Sequence, residues 1–143
     1  MGSWGVNSYE NDEAADALDA GYDRACGPIY EELMDDHCPL SFDEVQKKLA
    51  RPETLEAAIA CLIETLPAGL PLESWDALAR LAFVGIVVRH AEFAVAIPNE
   101  ILRQAIEWLE QEDLEWDEAT LRRLRRDKER ALLERASRTN EPH

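Results

Sequence analysis

Residues 75–95 read WDALARLAFVGIVVRHAEFAV, and Leu81, Phe83, Val84, Ile86, Val87 and Val88 leave almost no side of a helical wheel polar. A helix apolar all round belongs in the centre of a bundle, where neighbours cover every face. The β-branched run Ile86-Val87-Val88 also suits a strand, but its flanks read as helix and no second run offers to pair with it. Arg80, Arg89, His90 and Glu92 interrupt the stretch before the roughly 20 uncharged residues that a membrane span needs. The stretch predicts an all-α protein, a compact multi-helix bundle around a buried central helix capped at Ser74.

On its N-terminal side, Pro52 suits a first helical position, and Leu55, Ala58, Ile59, Leu62, Ile63 and Leu66 form one stripe, predicting a helix over 52–66. Ser41-Phe42-Asp43-Glu44 has the form of a capping box and opens a short helix over 42–50. Asn11 and Asp12 are N-cap candidates for a helix from about residue 13. Ala14, Leu18, Tyr22, Ala25 and Ile29 give that helix a buried face. Gly21 and Gly27-Pro28 weaken it, so a break near Pro28 and a short helix to about residue 36 are expected.

On the C-terminal side, Asn99 is a cap candidate, and Ile101, Leu102, Ala105, Ile106 and Leu109 make a second stripe. Asp117 caps a last, basic helix over 118–138, whose sparse apolar positions Leu121, Leu124, Ala131, Leu132 and Ala136 predict partial docking, with a frayed tail at 139–143. About six helices in one domain, 1–143, are expected, headed by an aromatic segment over 1–12. No internal repeat points to a solenoid.

The net charge of −15 disfavours nucleic-acid phosphate and anionic membranes as partners, and favours a protein with a basic surface. That charge is unevenly placed: residues 1–46 hold twelve Asp or Glu and one basic residue, Arg24. The last helix instead gathers Arg122, Arg123, Arg125, Arg126, Lys128, Arg130, Arg135 and Arg138. It is expected to lie near the acidic first third or near residues 107–118, relieving self-repulsion. No aromatic side chains interleave these arginines as a single-strand platform would require.

Cys26, Cys38 and Cys61 form an odd set without a C-x-x-C pair, which points to a reduced, cytoplasmic setting rather than a disulfide framework, and the N-terminus lacks a secretory signal pattern. Candidate chemistry is thin. Cys26, His37 and Cys38 are ligand types without zinc spacing, and His90 with Glu92, Asp35 and Asp36 would need folding to converge. The simpler expectation pairs Arg89 with Glu92 at the surface and leaves His90 one core hydrogen bond. Ser41 and Ser74 read as caps, and no phosphate loop or dinucleotide fingerprint is present, so no cofactor and no catalytic set is expected.

Gly2 and Gly5 flank Trp4, and Tyr9 precedes the cap at Asn11 and Asp12, which suggests an aromatic plug folding back on the bundle. Residues 1–16, MGSWGVNSYENDEAAD, resemble the N-terminus of a bacterial domain-of-unknown-function family that begins Met-Gly-x-Trp-Gly, then an aromatic residue, an acidic residue, Asn-Asp and an Ala-rich helix. Residues 82–112 are similar to the later helices of that family, while the basic last helix and His37-Cys38 depart from it. The resemblance implies a small bacterial helical domain and assigns no activity.

The leading expectation is a non-enzymatic interaction module of inhibitor, immunity or defence type. Its acidic face would comprise Glu13, Asp16, Asp19, Asp23, Glu31, Glu32, Asp35 and Asp36. The alternatives are a small enzyme or metal-binding protein using His37, Cys38, His90 or Glu92, and a self-associating scaffold built on the last helix.

Overall fold

The computed structural model describes residues 5, 7–35, 37, 39–112, 116 and 118–139; Trp4, Asp36, Cys38 and Asp117 lie outside them. The described chain forms seven α-helices: α1 (Asp12–Cys26), α2 (Pro28–Leu33), α3 (Phe42–Leu49), α4 (Pro52–Glu64), α5 (Ala77–Glu92), α6 (Asn99–Glu110) and α7 (Ala119–Thr139). A single 3-10 turn, Leu72–Ser74, precedes α5, and no strand occurs among the described residues.

Every residue of α5 from Leu81 to His90 is buried, as its all-round apolarity requires, and Ile86-Val87-Val88 are helical. Two helix pairs clasp it: α1 and α4 pack on each other and on α5, and so do α6 and α7. Gly21 does not weaken α1; a Cβ there would stand 2.5 Å from the Ala58 backbone, so the missing side chain is what lets α1 and α4 approach. The expected break falls at Gly27, whose φ of 55° lies in the left-handed region that glycine tolerates. The helix after it ends at Leu33 rather than near residue 36.

Two caps differ from expectation, and two are as expected. Asp76, not Ser74, accepts the amide of Ala79 at 2.8 Å and starts α5, because Ser74 is used in the 3-10 turn and Trp75 stays extended (ψ 133°) to bury its ring. That ring meets Phe83 and Trp108 at centroid distances of 6.2 and 5.2 Å, joining α5 to α6. Asn99 lies inside α6 while Pro98 occupies the cap position, its carbonyl accepting from the Ile101 and Leu102 amides at 3.1 Å. Asn11 caps α1 through Ala14 at 2.9 Å, and Asp12 is the first helical residue, its charge suited to that end. The Ser41 hydroxyl caps α3 as expected.

The last helix is the largest correction. Leu121 and Leu124, expected on its docked side, are 50 % and 58 % exposed, and Ala131 is exposed too. The docked stripe is Arg122, Arg126, Glu129, Leu133 and Ala136, spaced by fours and threes, with Arg122, Glu129 and Leu133 buried. Of the two acidic neighbours expected for it, α7 takes the second, packing on α6 and α5.

Candidate functional site

A buried ionic cluster holds α7. Arg122 forms a two-pronged pair with Glu112, Nε donating to Oε2 at 3.0 Å and Nη2 to Oε1, and its Nη1 donates to Glu129 at 2.8 Å. Its guanidinium also lies 4.7 Å from the centroid of the Trp116 ring. Burial opposes the Arg122 charge, but the hydrogen bonds and charges of Glu112 and Glu129 outweigh it and hold its pKa above the ordinary value. Glu129 is fully buried and also accepts from Ser8, from the amide at 2.9 Å and the hydroxyl at 2.8 Å. Arg126 and Arg130 extend the contact to Glu112 and Glu110.

Ser8 belongs to the N-terminal segment, whose described part crosses α5 at Gly85. A Cβ on Gly85 would lie 2.5 Å from the Ser8 carbonyl oxygen. Asn11 steadies this strap from the other side, its Nδ2 donating to that same oxygen at 2.7 Å. Tyr9 is half-buried against the core, with the Arg89 guanidinium 4.7 Å from its ring centroid and its hydroxyl donating to Glu92 at 3.3 Å. Burial, then the Glu92 carboxylate, pushes its pKa up to about 12. The segment is thus fastened by polar contacts as well as packing.

Arg89 and Glu92 do not pair with each other. Arg89, its guanidinium 4.7 and 4.6 Å from the Tyr9 and Phe93 ring centroids, reaches Asp43 of α3, whereas Glu92 accepts from Arg125 of α7 at 2.7 Å. His90 makes two contacts, not one: Nδ1 to the Ile86 carbonyl at 2.9 Å and Nε2 to the Thr54 hydroxyl at 2.9 Å. A carbonyl only accepts, so Nδ1 carries the proton and Nε2 of the neutral ring is the accepting nitrogen; the Thr54 hydroxyl beside it also lies 2.8 Å from the Arg51 carbonyl, and the two acceptors share its one proton. Burial is the main cause lowering its pKa to about 4, and Tyr22 stacks on it at 5.9 Å. A neutral, fully enclosed imidazole fastening α5 to the start of α4 has no open path to a substrate.

His37 is exposed in the segment after α2, its amide donating to Asp35 at 2.8 Å, far along the chain from His90 in the core. Cys26 is half-buried and Cys61 buried, both as free thiols. Among the described residues, no three His, Cys, Asp or Glu side chains converge as metal ligands would. No helix among them is long and apolar enough to cross a membrane.

The expected acidic residues share a different fate from these. Glu13, Asp16, Asp19, Asp23, Glu31, Glu32 and Asp35 are all exposed on α1, α2 and the residues just after, and Asp36 lies outside the described residues. The Tyr30 hydroxyl donates to Asp19 at 2.5 Å and ties α2 to α1, with burial and then Asp19 holding its pKa well above the ordinary value. Arg24, the sole arginine of α1 and α2, is drawn off to Glu64 of α4 at 2.6 Å. Exposed lysines Lys47 and Lys48 follow on α3. Among these carboxylates stands Ile29, 58 % exposed. Compared with models of protein families, with curated proteins and with solved structures, the chain finds no match.

Proposed function

We propose that this protein is a non-enzymatic interaction module that binds a protein partner with a basic surface through the acidic face of α1 and α2. One observation carries the proposal: the carboxylates of that face are exposed while Arg122, Arg125, Arg126 and Arg130 of α7 pair with Glu112, Glu129, Glu110 and Glu92 instead of covering it. Uncovered like charges repel one another, and a basic partner relieves that repulsion while complementary potential speeds encounter. Ile29 gives the face an apolar contact that loses water on binding. An inhibitor, immunity or defence role fits this physics, and the free thiols fit a reducing cytoplasm.

The test is affinity capture from the cells that make the protein, with three chains compared side by side. Asp16→Lys/Asp23→Lys/Glu32→Lys reverses the face, and Glu53→Lys/Glu100→Lys/Glu107→Lys makes an equal charge change at exposed positions on α4 and α6. Loss of a basic partner by the first variant alone supports the proposal. Equal retention by all three chains, or equal loss by both variants, refutes it.

A further inference from the structure

The outer face of α7 is not used by the fold. Leu121 and Leu124 are 50 % and 58 % exposed there, next to Arg123 and Lys128, which are exposed and form no ion pair among the described residues. The α1–α2 face has the opposite character, with exposed Ile29 beside Glu31 and Glu32. Each surface pairs an unburied aliphatic group with unneutralised charge, and the signs are complementary.

Within one chain the two surfaces belong to different helix pairs. α1 packs with α4 on α5, whereas α7 packs with α6 on α5. We infer that the outer face of α7 in one copy seats on the α1–α2 face of a second copy, a head-to-tail contact. This rests on the proposal that the acidic face is an interface, and names its basic partner as the chain's own last helix.

Symmetric contacts fit worse. Two α7 helices meeting antiparallel through positions 121, 124, 128, 131 and 135 would put Lys128 at the midpoint against its own copy. Two α1–α2 faces would set carboxylate against carboxylate. The net charge of −15 does not forbid association, because at physiological ionic strength charges beyond about 8 Å are screened and the local pairs decide. A contact between different surfaces continues from copy to copy until a ring closes or a filament grows.

The experiment is sedimentation velocity of the full chain over a wide concentration range at physiological salt. Leu124→Asp disables the α7 half at an exposed position, and Glu31→Lys/Glu32→Lys disables the acidic half, with circular dichroism confirming that both fold. Wild type is expected to form species that grow with concentration, and each variant alone to remain monomeric. Mixed in equal amounts, the variants are expected to give twice the monomer mass and nothing larger, since each brings one intact half. A monomeric wild type, a mixture that stays monomeric, or a variant that associates like wild type would each overturn the contact. If the contact fails while the reversed face still loses its basic partner in the capture experiment, the acidic interface stands. If Glu31→Lys/Glu32→Lys retains both association and capture, the acidic interface falls as well.

Discussion

Replacing Glu129 by alanine tests how α7 and the N-terminal strap are held. The carboxylate is fully buried and accepts from the Ser8 amide, the Ser8 hydroxyl and Arg122 Nη1, all within 2.9 Å. Its loss strands two Ser8 donors, each costing about 1–3 kcal/mol when buried without an acceptor. It also breaks half of an enclosed ion pair, a change that typically costs about 3–5 kcal/mol. These costs overlap, because Arg122 keeps its two-pronged bond to Glu112, and the net expectation is about 3–5 kcal/mol. Against a total stability of about 5–15 kcal/mol that is a large share, and it lowers the melting midpoint by on the order of 10 °C. The assay is denaturant unfolding at pH 7 followed by circular dichroism. Arg130→Ala serves as the control on the same helix, since its pairs with Glu110 and Glu134 are half-exposed and carry less than about 1 kcal/mol. If Glu129→Ala costs no more than Arg130→Ala, the buried cluster does not hold α7.

His90 makes stability depend on pH in a defined direction. Its folded pKa of about 4 lies below the unfolded value of 6.5, so its contribution is complete above about 6.5 and is lost as pH falls toward 4, about 3 kcal/mol in all. Unfolding midpoints at pH 7 and 4.5 should therefore differ less in His90→Gln than in wild type; equal differences would contradict the assignment. Gly85→Ala pushes a methyl into the Ser8 carbonyl and should destabilise by about 1–3 kcal/mol while speeding hydrogen exchange at the Ser8 amide. Unchanged exchange would mean that the strap does not cross there. Asp76→Ala should cost about 1 kcal/mol in thermal unfolding, and Ser74→Ala less than about 0.5 kcal/mol; the reverse order would restore Ser74 as the cap.

The bundle was legible where apolar spacing carries it. The all-round apolarity of 81–88 fixed the central helix, and the stripes at 55–66 and 101–109 fixed two of its neighbours. The last helix defies an apolar search because three of the five residues of its docked stripe are charged: a search for leucines finds Leu121 and Leu124, which face water, and passes over Arg122, Arg126 and Glu129. The 4-3-4-3 spacing from Arg122 to Ala136 was the available signal, but charge is counted as surface unless its partners are known, and Glu112 and Ser8 come from elsewhere in the chain. Arg89 and Glu92 looked like a local pair for the same reason: spacing along one helix says nothing about Asp43 or Arg125 arriving from others. The acidic residues are legible as exposed because Glu13, Asp16, Asp19 and Asp23 recur at three- and four-residue steps on the side of α1 opposite Ala14, Leu18 and Tyr22.

The interaction role is tested most directly by carboxylate footprinting. The full chain, free and saturated with the captured basic protein, is labelled with a carbodiimide and a small amine, and modification at each Asp and Glu is read by mass spectrometry. Modification of Asp16, Asp23, Glu31 and Glu32 should fall several-fold on binding, while Glu100 and Glu107, exposed on α6, stay unchanged. Protection confined to Glu100 and Glu107, with the α1–α2 carboxylates labelled as in the free chain, would contradict the account.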